Sequence, residues 1–221
     1  MNHLMRIFVT RTALALLASL PLACSAADEA QFKAGQHYKL VRTAQPPADP
    51  AKIEVAEVFW YGCVHCFQFE PYVDKWLEKK PAGVNFVRLP SSLGRPVGIL
   101  HSKAFYAAEA LGVFDKIHKQ IFVAMNNEGK LLATQDDLRA FFVKNAGVSA
   151  EDFDSAFTGF AADNRVRRTE TQLREMGIAS TPTVVVDGRW YTNGTLAGGY
   201  NKVFAVVEQL VKQAREERKS K

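Results

Sequence analysis

Cysteine is the scarcest chemistry-bearing residue in the chain, with three among 221 residues. One of them, Cys24, lies in an N-terminal leader, so only Cys63 and Cys66 remain beyond it. No second cysteine pair exists, and His37, His101 and His118 stand apart in the sequence, which argues against a zinc site. The longest apolar stretch of the leader, Ala13 to Leu20, is far short of the roughly 20 residues that span a bilayer. There is no internal repeat and no low-complexity segment. Charge is not massed either: basic residues are scattered apart from Arg165, Arg167, Arg168 and the tail Arg215 to Lys221. The net charge of +5 falls to +3 without Arg6 and Arg11. The basic tail reads as a solvated helix end, where positive charge suits the helix dipole. Nothing argues for nucleic-acid binding.

What is present begins with an export signal. Arg6 and Arg11 precede the apolar stretch, and Pro21 and the small residues Ala23 to Ala27 follow it. A charged start, an apolar middle and a small-residue end are the three parts of a secretory signal, here residues 1–27. Cys24 leaves lipid anchoring as a less favoured alternative, because Pro21 fits poorly at the third position before a lipid-modified cysteine. Either way the expected compartment is oxidising, and disulfides persist there. About 194 residues remain, enough for one moderate domain or a domain with an insertion.

After a proline-bearing lead-in (Pro46, Pro47, Pro50), Ile53 to Trp60 is β-branched and aromatic and reads as a buried strand. Apolar residues at helical spacing, from Phe69 to Leu77, predict a helix over about 63–79 with Pro71 inside it. Val84 to Leu89 reads as a second strand. From about Ser92 to Met176 strand signals vanish. Helices are expected over about 101–111, 114–125, 134–145, 150–159 and 161–176, with capped starts at Thr134 and Ser149. Thr183 to Val186 and Arg189 to Thr192 then read as a hairpin about Asp187-Gly188, before a helix over about 200–217. The two sheet-forming parts are each too small to bury a core alone. They are expected to form one α/β domain interrupted by the helices.

Cys63-Val64-His65-Cys66 therefore sits where a strand runs into a helix. The first amides of a helix have no intrahelical partner and carry the positive end of its dipole. A thiolate at Cys63 is stabilised there, while Cys66, one turn further in, is less so. Cys63 is the expected nucleophile and leaving group, and Cys66 the resolving thiol. His65 is expected to lower the Cys63 pKa further, and a stabilised dithiol form makes the disulfide a stronger oxidant. Plain alternatives are a structural disulfide, half a metal site, or incidental buried cysteines. A bridge closing so short a loop constrains little, so redox use is favoured over the first. Ser180-Thr181-Pro182-Thr183, entering a strand, reads either as an ordinary strand start or as a loop lying against the helix N-terminus.

Phe59-Trp60-Tyr61-Gly62-Cys63-Val64-His65-Cys66, followed by Phe69-Glu70-Pro71, resembles the active-site segment of the DsbA family of periplasmic thiol:disulfide oxidoreductases. The likeness runs from Gly35-Gln36-His37-Tyr38 to the final helix. It implies a thioredoxin-like fold with an inserted all-helical domain: residues 28–91 and 177–221 for the former, 92–176 for the latter. It implies that Thr181-Pro182 is a cis-proline loop binding substrate backbone. It implies that Glu57 is a buried proton-transfer acid, and it matches Glu70 and Arg88 to further charged positions. Val64 departs from the familiar motif, which has proline there, and this leaves the strength of oxidation open.

The function implied is oxidation of exported proteins with free thiols through a Cys63–Cys66 disulfide, with no other cofactor and no metal. A DsbB-type inner-membrane partner would restore the disulfide, and the protein would act in the periplasm as a monomer. The alternatives are a disulfide isomerase or reductase, or a peptide-binding periplasmic chaperone.

Overall fold

The computed structural model describes residues 31–220; the leader and Cys24 lie outside the described residues. Five strands form one sheet in the order β1-β5-β4-β2-β3. They are β1 (Lys39–Leu40), β2 (Ile53–Phe59), β3 (Val84–Pro90), β4 (Thr183–Val186) and β5 (Trp190–Thr192). β2 runs parallel to β3 and antiparallel to β4, and β4 and β5 form the expected hairpin. In its turn Asp187 and Gly188 both have positive φ, 53° and 60°, and the Arg189 amide donates to the Val186 carbonyl at 3.0 Å.

Helix α1 (Val64–Leu77) follows β2, and α8 (Tyr200–Lys219) closes the chain. Alternation along the strands sorts the core. Val55, Val184 and Val186 face α1 and α8, where they meet Phe69, Val73, Trp76 and Val207. Ala56, Val58 and Val185 face the other way, onto Leu173 and Met176. Pro71 lies exposed within α1. An interior proline costs about 3 kcal/mol. Burial of Phe69, Val73 and Trp76 at about 1.5–3 kcal/mol each offsets that cost.

Between β3 and β4 come α2 (Pro96–Ala110), α3 (Phe114–Asn126), α4 (Gln135–Ala146), α5 (Ala150–Thr158) and α6 (Phe160–Met176). Thr134 and Ser149 cap α4 and α5 as read from the sequence, and Thr134 with Asp137 makes a capping box. α2 starts at Pro96 rather than near His101, since proline is at home in the first turn, where its missing N–H has no partner. α6 has two tasks: its start packs in the helical block through Ala162 and Val166, and its end covers the sheet. Two short elements were not expected: β1, paired with β5, and the single turn α7 (Gly194–Ala197), capped by Asn193.

The helical block has its own core, including Phe105, Ile117, Phe122, Phe142 and Phe153. Phe59, Tyr61 and Cys66 belong to that core as well. The cysteine pair thus lies on the seam between the sheet and the helices.

Candidate active site

The pair is placed by the junction of β2 and α1. Cys63 is the N-cap of α1, with extended backbone (φ −98°, ψ 108°). Its sulfur stands where a serine or aspartate oxygen usually caps a helix, and accepts from the Cys66 amide at 3.4 Å. The chain reaches this point through Gly62. A Cβ on Gly62 would lie 2.4 Å from the Trp60 ring, so the close approach of the indole requires glycine there.

The second loop arrives through strand register. Val58 pairs with Thr183, so the chain leaving β2 toward Cys63 passes the chain entering β4 at Thr181-Pro182. The Thr181–Pro182 peptide bond is cis. The Thr181 carbonyl lies 3.6 Å from the Cys63 sulfur. The Thr181 hydroxyl is buried beside the pair. Both cysteines are free thiols in this structure.

The two sulfurs differ sharply. Cys63 is partly exposed, whereas Cys66 is fully buried. The Cys66 thiol hydrogen-bonded to it, the Thr181 side chain, and the Cys66 and His65 amides outweigh burial and bring the Cys63 pKa down to about 5. Burial, then the negative charge of Cys63, pushes Cys66 well above the ordinary thiol range. His65 acts on Cys63 through its backbone amide. Its side chain is exposed and lines an open groove of about 450 Å³ with Ser180, Thr181, Pro182, Asn193 and Tyr200. Val64, the departure from the motif, is 48% exposed, so its apolar side chain is part of the surface beside the pair.

Beneath the pair lies a buried charged cluster. Glu57 on β2 and Arg88 on β3 are register partners, which turns both side chains to the α1 face. Arg88 Nε is 3.1 Å from Glu57 Oε2, and Arg88 Nη2 donates to Glu70 Oε2 at 3.2 Å. Glu57 is fully buried. Burial, then the Glu70 charge, raises its pKa to about 8 despite the adjacent arginine. For Glu70, burial acts upward, but His118, Arg88 and Lys119 together hold it below the usual carboxylate value.

Sequence reasoning left three contributors unassigned. His118 is buried beside this cluster, with Nδ1 2.8 Å from the Tyr61 hydroxyl and Nε2 3.4 Å from Glu70 Oε2. His101 accepts from the Trp60 indole at 2.9 Å. Tyr200 packs tilted against Phe69 and edge-on to Tyr72, and its pKa rises through burial and then the charges of Cys63 and Cys66. A larger cavity of about 780 Å³ lies elsewhere, between β3, α2 and α6. Arg88 reaches it but neither cysteine does.

A reactive dithiol at a helix N-terminus, faced by a cis-proline loop on a thioredoxin-like sheet with inserted helices, defines a protein disulfide oxidoreductase. Comparison with known proteins agrees. The profile of the DSBA-like thioredoxin domain matches residues 99–210. The thiol:disulfide interchange protein DsbA of Pseudomonas syringae pv. tomato is 36% identical over 201 residues, spanning 91% of this chain and 93% of the relative. That of Pseudomonas aeruginosa is 35% identical over 201 residues, at 91% and 94%. The crystal structure of Pseudomonas aeruginosa DsbA superposes with a TM-score of 0.80 at 34% identity, covering 85% of this chain and 97% of the other. The chain belongs to the DsbA family.

Proposed function

We propose that the protein oxidises thiols of exported proteins by donating a Cys63–Cys66 disulfide. A substrate thiolate attacks Cys63 Sγ, a substrate–Cys63 disulfide forms, and the Cys63–Cys66 bond breaks. Cys66 leaves with the electron pair and takes a proton, for which Glu57 is the buried donor. A second substrate thiolate then attacks the substrate sulfur of the mixed disulfide and releases Cys63 as a thiolate. The substrate has lost two electrons, and both now reside on the enzyme's sulfurs.

The observation that carries this reading is the inequality of the two thiols. A sulfur whose anion is stabilised is a good leaving group, so the mixed disulfide at Cys63 resolves quickly onto the substrate. The same stabilisation favours the dithiol form and makes the disulfide an oxidant. Thr181 and Pro182 would hold substrate backbone in the groove, and the His65 side chain would line its edge. A DsbB-type membrane partner would reoxidise the pair. The work would be done in the periplasm by a monomer, built from a thioredoxin-like domain (28–91 and 177–221) and a helical insertion (92–176). Export by residues 1–27 is favoured over lipid anchoring at Cys24.

The redox equilibrium of the purified protein with glutathione tests the direction of transfer. The proposal expects a disulfide clearly more oxidising than that of thioredoxin. A potential near thioredoxin's would favour the isomerase or reductase alternative instead.

A further inference from the structure

The cluster beneath the cysteines holds two carboxylates around one arginine, and something must decide which carboxylate keeps a proton. Glu57, Glu70 and Arg88 cannot all be charged without leaving a net negative charge in a largely buried site, which is costly. His118 stands on one side of this arrangement only. Its Nε2 faces Glu70 Oε2 at 3.4 Å, a close contact outside hydrogen-bond geometry. The buried Tyr61 hydroxyl, 2.8 Å from Nδ1, has this ring as its acceptor, so in the neutral imidazole Nδ1 accepts and Nε2 carries its hydrogen toward Glu70. The ring is held in place by Phe59, Phe114 and Phe122, with centroids 5.4, 4.6 and 5.2 Å away. Glu57 meets the shared arginine instead: Arg88 Nε stands 3.1 Å from its Oε2, while its Oε1 is buried without a hydrogen-bond partner among the described residues.

We propose that His118, oriented by Tyr61, is a positioning residue that fixes the negative charge on Glu70 and thereby leaves the shared proton on Glu57. Four elements contribute: β2 (Glu57, with Tyr61 just beyond it), α1 (Glu70), β3 (Arg88) and α3 (His118). The remaining charges near the cluster are Asp74 on α1 and Lys119 on α3, which pair with each other at 2.6 Å, and the more distant Glu109 on α2. None of them offers Glu57 a donor. The raised Glu57 and lowered Glu70 titrations have the directions this division of charge requires. Sequence spacing does not bring His118 to either acid; it is α3 packing on α1 that brings it to Glu70. The inference rests on the reading of Glu57 as proton donor only for its importance in catalysis, not for the charge assignment itself.

The test is a carbon-13 NMR titration of the glutamate carboxyls in the reduced full-length protein, run beside the pH profile of substrate oxidation. In His118→Phe the Glu57 midpoint is expected to fall by at least one pH unit while the Glu70 midpoint rises. His118→Gln, which can still donate toward Glu70, is expected to recover most of that shift. A Glu57 midpoint unmoved in folded His118→Phe, or moved equally in His118→Gln, would overturn the assignment and leave His118 as packing. If His118→Phe does not fold, Tyr61→Phe carries the test, because losing the hydroxyl releases the choice of tautomer. It predicts a smaller fall in the same direction, and no fall would overturn the proposal. A midpoint that moves without any change in the oxidation profile would uphold the assignment and count instead against Glu57 as proton donor.

Discussion

The rim around Cys63 and the floor beneath Cys66 are built from opposite materials. On the rim the sulfur caps a helix, meets the Thr181 carbonyl and opens to a groove. The floor is sealed: Cys66 is buried in the aromatic core of the helical block, above charged side chains that pair with one another. On the rim, donors already in place outweigh burial; on the floor, burial dominates. Two thiols three positions apart thus acquire different acidities from whether amides or hydrocarbon surround them. The exposed sulfur stands at the junction of β2 and α1, while the helices between β3 and β4 supply the buried walls around its partner.

The most drastic way to break this comparison is to remove the rim sulfur. Cys63→Ser is expected to abolish disulfide transfer to a reduced test protein, measured by loss of free thiols. Retained activity would favour a peptide-binding chaperone.

The floor can be probed by pH. Glu57 has its carboxyl pKa raised from 4.5 to about 8, so its contribution to stability is present below 4.5 and lost as pH rises through about 8. Glu57→Gln cannot ionise. Its melting temperature relative to the native protein is therefore expected to improve between pH 6 and pH 9, and a constant difference across that range would argue that Glu57 is already charged. The smallest effect is expected far from both regions. Thr134→Ala removes the α4 cap and should cost about 1 kcal/mol in denaturant unfolding. It should leave the reduction potential unchanged.

Much of this was legible in the sequence because it depends on local rules. The β-branched run of β2, the turn at Asp187-Gly188 and the caps at Thr134 and Ser149 each declare themselves within a few residues. The cysteine pair was legible for the same reason, since a strand followed directly by a helix places it at a helix start. β1 and α7 escaped because two strand residues or one helical turn carry no period to detect. His118 and Tyr200 escaped for another reason. Each follows an ordinary helical pattern, and only tertiary packing brings His118 to Tyr61 across 57 residues and Tyr200 against Phe69. The charge cluster was visible only in part: the resemblance marked Glu57, Glu70 and Arg88, while the donor that separates the two acids lay in the insertion.

The central claim, that the rim and the floor make the two thiols unequal, is tested most directly by titrating the reduced protein. Thiolate formation would be followed by ultraviolet absorbance, with alkylation at Cys63 read in parallel. The account predicts one midpoint near 5, belonging to Cys63, and no second thiolate up to pH 9. A Cys63 midpoint near the ordinary thiol value of about 8.5, or a Cys66 thiolate appearing first, would contradict it.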